Sequence, residues 1–134
     1  MDENLNIWKH QPYITHPLQV MEMMSTEEEK IVAVLNDVIE DTKTTIINKS
    51  KTSNRYYIQL KDKEYKLTEP IRTALFCLTK LPKESYLAYI QNIAENKLAT
   101  KVKIADIVCN LTDTPSDHAK QKYLKALPIL LKGL

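Results

Sequence analysis

A chain of 134 residues, 43% hydrophobic and 27% charged, amounts to one domain, long enough to bury roughly two thirds of its unfolded surface around a single core. Its single glycine excludes the glycine-rich phosphate loops of the Rossmann and Walker types, whose backbones need several. A net charge of +2 gives no argument for nucleic acid, and Arg55 and Arg72 are the two arginines among nineteen basic residues, so phosphates would meet lysine point charges rather than guanidinium forks.

Cys77 and Cys109 each lie in an apolar helical run and form no C-x-x-C pair, so both are expected as reduced core residues of a cytoplasmic protein. The N-terminal stretch MDENLNIWKHQPYI has no apolar signal region. No window approaches the ~18 apolar residues of a membrane span.

In chain order, residues 1–15 are polar and lack a period. HPLQVMEMM predicts a helix opening at Pro17, with Leu18, Met21 and Met24 on one face. STEEEKIVAVLNDVIEDT begins with a capping-box pattern, Ser25 or Thr26 followed three residues on by Glu28 or Glu29, and carries the stripe Ile31, Val34, Leu35 and Val38. Residues 42–53 are polar and predict mostly loop. RYYIQL and EYKL flank KDK with aromatic and β-branched residues, which predicts a small β-hairpin over 55–68. Pro70 opens a helix with Ile71, Ala74, Leu75 and Leu78 at helical spacing. Pro82 is read as opening another, with Tyr86, Tyr89, Ile90 and Ile93 as its stripe. LATKVKIADIVCNLTD predicts a third, with Val102, Ala105 and Cys109 on one side, and the tail predicts a last helix broken or kinked near Pro128. The expected fold is an all-α bundle with a small β-hairpin insertion, one domain over residues 1–134.

One stretch conflicts with simple helix chemistry. AVLNDVIEDT sets Asn36, Asp37, Glu40 and Asp41 three and four residues apart, hence on neighbouring faces where like charges repel. The acids also sit near a helix C-terminus, where the macrodipole is negative. A second polar island interrupts the later run KVKIADIVCNL, with Asp106 followed by Asn110 one turn on. Together with His16, Asp37 and Asp106 would supply one imidazole and two carboxylates from three helical regions, a mixture that suits Mn²⁺, Fe²⁺ or Mg²⁺ better than a structural zinc.

These blocks resemble the HD phosphohydrolase superfamily, in particular the branch of the RelA/SpoT-type alarmone hydrolases, across about residues 12–131. PYITHPLQV is similar to the block whose histidine is the first metal ligand, here His16. VAVLNDVIEDT is similar to the block that usually reads Leu-His-Asp and ends in Glu-Asp-Thr. KVKIADIVCNL resembles the Lys-x-Ala-Asp block, and KYLKALPIL the family's last helix. The resemblance implies an HD-domain helical bundle and a metal-dependent phosphohydrolase. His16, Asp37 and Asp106 would be metal ligands, with Asn36 at a degenerate ligand position and Mn²⁺ the expected ion. Glu40 and Asp41 would activate or orient the attacking water. Asn110 would lie near the nucleotide, and Lys103 and Lys80 would balance phosphate charge. The implied reaction is hydrolysis of a pyrophosphate ester on a nucleotide such as (p)ppGpp.

Two departures bear on function. Asn36 stands where the signature has histidine, and its neutral amide oxygen is a weaker ligand for Mn²⁺ or Fe²⁺ than an imidazole nitrogen. The segment before His16 is shorter than the family's and lacks its basic, glycine-containing loop, with Lys9 and His10 the nearest substitutes. The expectation is therefore a nucleotide phosphohydrolase with an altered metal site. The alternatives are an impaired relative that binds a nucleotide or a protein partner, and an interaction module without chemistry. A second copy of the chain is an expected partner because a bundle lacking an outer helix exposes an apolar face.

Overall fold

A computed structural model describes residues 18–42, 45–48, 55–60 and 63–134. His16, Pro17, Lys9 and His10 lie outside these residues. Residues 18–22 are helical and turn into the first complete helix, α1 (Glu27–Thr42). Three short strands follow, β1 (Ile46–Asn48), β2 (Tyr56–Leu60) and β3 (Lys63–Leu67). Four further helices complete the chain: α2 (Glu69–Leu78), α3 (Tyr86–Ala94), α4 (Lys97–Thr112) and α5 (Asp117–Lys132).

The start of α1 is a capping box. Thr26 Oγ1 accepts from the Glu29 amide at 3.1 Å, while Glu29 Oε1 accepts from the amides of Ser25 and Thr26 at 3.0 and 3.2 Å. Donors that helix geometry leaves orphaned are thereby satisfied. Burial would raise the Glu29 pKa, but these two amides and the ammonium of Lys101, 3.3 Å from Oε2, outweigh it and hold the carboxyl below its usual value.

The buried face of α1 differs from the expected stripe. Glu29, Val32, Ala33 and Asn36 face inward, while Ile31 is 41% exposed and Val34 and Val38 are half-buried. The helix is turned so that its polar cluster, not its most apolar edge, meets the neighbouring helix. Ile31, Val34 and Leu35 instead line a groove against β3 and the start of α2. In the first helical segment Val20 is the core residue, whereas Leu18 is exposed.

The hairpin of β2 and β3 is antiparallel, pairing Tyr56 with Leu67 and Ile58 with Tyr65. The region expected as loop supplies a third strand, since β1 pairs with β2 through Ile46 opposite Ile58. Isoleucines at 46 and 47 carry that strand despite the polar residues around them, because β pairing needs only a few β-branched positions beside a preformed edge. Ile58 and Leu67 are buried. Tyr56 docks the sheet on α2, its ring edge-on to Phe76 at 5.8 Å and beneath the Arg72 guanidinium at 4.3 Å.

In α2 all four stripe residues, Ile71, Ala74, Leu75 and Leu78, are buried. Pro82 does not open α3. The helix starts at Tyr86 behind Ser85, whose hydroxyl accepts from the Ala88 amide at 3.1 Å, a stronger start signal than proline alone. Asn96 and Ser116 cap α4 and α5 in the same way. Helix α5 continues through Pro128 without a break. Proline there removes the bond to Leu124, and both residues are exposed, so water can satisfy the freed carbonyl.

Helix α4 is the hub, packing against α1, α2, α3 and α5. It therefore buries most of its circumference, including Ala99, Thr100, Val102, Lys103, Ala105, Ile107 and Cys109, and leaves Lys97, Lys101 and Val108 exposed. This explains why its sequence shows no clean apolar stripe, and why a polar residue on it ends up inside the protein. Both cysteines are free, Cys109 buried and Cys77 half-buried. No helix among the described residues is long and apolar enough to cross a membrane.

Candidate functional site

Helix α1 meets α4 through the polar cluster. The capping box fixes where α1 begins, so Ala33, Asn36, Asp37 and Glu40 form one face at helical spacing. Helix α4 offers Val102 and Asp106, four residues apart, to the same place. Asn36, Asp37, Glu40 and Asp106 line one small pocket with Val20, Ala33 and Val102. Its volume of about 10 Å³ is the size that holds one water or one ion. Two helices far apart in sequence thus line one pocket with three acids and an amide. Asn36 is the most enclosed of the polar α1 members at 8% exposure, Asp37 is half-buried and Glu40 lies at the exposed rim.

Asp106 is already partnered. Its Oδ2 lies 3.1 Å from Lys103 Nζ, one turn back on α4, with the two side chains 19% and 10% exposed. Burial alone would lower the Lys103 pKa, but Asp106, followed by the phenols of Tyr89 and Tyr86, reverses this and raises it. The ammonium also lies 5.4 Å from the centre of the Tyr89 ring. Tyr89 is anchored by its hydroxyl, which donates to the Leu78 carbonyl at 2.7 Å. Burial, chiefly, raises the Tyr89 pKa, and the Glu40 and Asp106 carboxylates add to the rise. The Cys109 thiol is raised by burial and by Asp106.

The remaining expected residues divide. Asn110 lies one turn beyond Asp106, half-buried, and its Nδ2 points to the Tyr123 hydroxyl at 3.5 Å. Asp41 is exposed and is not part of the pocket lining, because the face that meets α4 is centred on Asn36 and Glu40 and leaves Asp41 at its edge. Lys80 is exposed beyond the end of α2, with its ammonium 3.3 Å from the Leu81 carbonyl. It too is absent from the pocket lining. Among the described residues no group of three or more His, Cys, Asp or Glu side chains is arranged to hold a metal ion. The donors at the pocket are the oxygens of Asp37, Asp106 and Asn36, a set that suits a hard cation. His16, the imidazole expected with them, lies outside the described residues.

The tyrosines are what sequence reasoning missed. Tyr86 and Tyr89 count as apolar stripe positions by spacing, yet the Tyr89 ring lies against the Lys103 ammonium and the Tyr86 ring stands 6.0 Å from that of Tyr89. The usable signal was a lysine inside the apolar run of α4, which must find both an anion and a polarisable surface if buried.

No protein-family model matches the chain, and no curated protein is significantly similar to it.

Proposed function

We propose that this protein is a phosphohydrolase-type domain of the HD kind, acting on a nucleotide through a weakened metal site. The observation that carries the reading is the meeting of Asn36, Asp37, Glu40 and Asp106 at one pocket between α1 and α4. Those residues come from the two blocks on which the resemblance rests, and nothing in helix packing alone requires acids from both to converge.

A divalent cation, Mn²⁺ foremost, would be held by Asp37 and Asp106 with His16 and the Asn36 amide, and when bound would acidify a water and polarise a phosphoryl oxygen. Glu40, at the rim, would take the proton of that water. The Lys103 ammonium keeps Asp106 oriented and offsets phosphate charge. Asn110 would offer its amide to the nucleotide, its orientation set by Tyr123.

Two features favour an impaired variant of this chemistry, one that binds a phosphorylated ligand with little turnover. Asn36 is neutral at the most enclosed ligand position, and Lys103 already neutralises Asp106 from within. A second copy of the chain would find an apolar groove of about 580 Å³ beside Ile31, Val34 and Leu67. Sedimentation of a strict monomer at high concentration counts against such a dimer.

The test is metal content and turnover of a 3′-pyrophosphorylated nucleotide, wild type beside Asn36→His. Restoring an imidazole is expected to tighten Mn²⁺ binding by about tenfold or more, with a gain in hydrolysis. If neither quantity changes, the pocket is not a metal site and the reading fails.

A further inference from the structure

Helices α3 and α5 line a further, open cavity of about 430 Å³, which shares no lining residue with the carboxylate pocket. This volume falls in the range of small-ligand sites, roughly 300–1,000 Å³. One wall comes from α5, where His118, Gln121, Lys122 and Lys125 follow the spacing of a single helical face. The floor is apolar, made by Leu87 and Ile90 of α3 and by Ala126. Among the described residues no carboxylate lines the cavity.

Lysines three residues apart repel one another, and this pair has no acid in the lining to relieve it. Lys122 is held in place: its ammonium lies 4.6 Å from the centre of the Tyr86 ring and 5.3 Å from that of Tyr123. Aromatic faces attract a cation without neutralising it. A positioned, uncompensated positive charge is thereby presented beside an apolar floor on which Leu87 remains 53% exposed.

We infer that this cavity binds a small phosphorylated molecule with an apolar body, the phosphate held by Lys122 and Lys125 and the body resting on Leu87 and Ile90. Two ammonium groups on adjacent turns match a dianion, and lysine binds phosphate as a point charge without needing a fork. The inference is independent of any chemistry at the carboxylate pocket.

Phenyl phosphate is the probe, with inorganic phosphate and phenol as its two halves, titrated by calorimetry in EDTA so that no metal recruits phosphate elsewhere. Phenyl phosphate is expected to bind about tenfold tighter than inorganic phosphate, because its ring buries apolar surface. Lys122→Gln and Lys125→Gln should each weaken it about fivefold or more through loss of a charge-assisted contact. Leu87→Ser, at an exposed position, should erase the advantage over inorganic phosphate, and circular dichroism confirms that each variant is folded. The inference is overturned if phenyl phosphate fails to bind at millimolar concentration, or if the lysine variants bind it unchanged. Equal affinity for inorganic phosphate overturns it too, as does tighter competition by an oligothymidylate, which would mark a general polyanion surface.

Discussion

Lys103 Nζ stands 3.1 Å from Asp106 Oδ2 in the middle of the central helix, with both side chains largely removed from solvent. The acid that interrupts the apolar run of α4 therefore carries its own counter-ion. Removing one member of such a pair strands a charge in a poorly solvated place, whereas removing both need not.

Lys103→Met is accordingly expected to cost about 3 kcal/mol, and the double change Lys103→Met with Asp106→Leu considerably less. Urea melts of the two single variants and the double variant supply the cycle. Mn²⁺ should raise the melting temperature of Lys103→Met more than that of the wild type, since the Lys103 ammonium no longer competes with the cation for Asp106. If the double variant is the least stable of the set, the pair contributes net stability and the expectation is wrong.

Acid stability turns on Glu29, whose carboxyl is held below its ordinary 4.5. The folded chain binds this proton less tightly than the unfolded one, so the stabilisation is present above pH 4.5 and is lost as pH falls through the lowered value. Glu29→Gln keeps an acceptor for the two amides but loses the ion pair with Lys101. The variant should be about 1 kcal/mol less stable at neutral pH and show a shallower loss between pH 5 and pH 3. Parallel acid titrations would contradict this.

Tyr86 governs the alkaline side. Burial, chiefly, pushes its phenol up to about 12 from an ordinary value of 10. Its hydroxyl is enclosed without a hydrogen-bond partner among the described residues. The folded chain holds this proton more tightly, so its contribution is complete below pH 10 and disappears as pH rises through 12. Phenolate absorbance should show late-titrating tyrosines, Tyr86 and Tyr89 among them, and Tyr86→Phe should remove one of these. The same variant should match or slightly exceed the wild type in stability at pH 7, because an unpartnered buried hydroxyl contributes nothing that phenylalanine lacks.

The single glycine has a packing reason. Gly133 follows α5 with φ of −79°, a conformation open to any residue. A Cβ there, however, would overlap the carbonyl oxygen of Ala94 at the end of α3. Gly133→Ala should cost about 1–3 kcal/mol by forcing the two helix ends apart, whereas Gly133→Ala without a measurable fall in the thermal midpoint would show that the ends part freely.

Much of this was legible from the chain, and for identifiable reasons. Capping boxes and apolar spacing act over three or four residues, so the start of α1, the stripe of α2 and the hairpin were all readable locally. The start of α3 was not, because Pro82 and Ser85 both signal a helix beginning and only the Ser85 hydroxyl makes the capping bond. Strand β1 was hidden in polar sequence because it is stabilised by the edge of β2, not by its own composition. The buried face of α1 was misjudged because its stripe was chosen by hydropathy, while the packed face includes Glu29 and Asn36.

The sequence by itself determined that this is a helical domain, where most helices begin, and that acids cluster where a helix end would reject them. Tertiary structure alone decided what the acids meet. Packing α4 against four other helices leaves water only the face of Lys97, Lys101 and Val108, so Lys103, on the packed side, is driven onto Asp106 and the Tyr89 ring. The same packing brings Asp106 to Asn36, Asp37 and Glu40 across some seventy residues of chain. Local chemistry fixes such residues on their helices, but only the burial of the hub helix fixes which of them face each other.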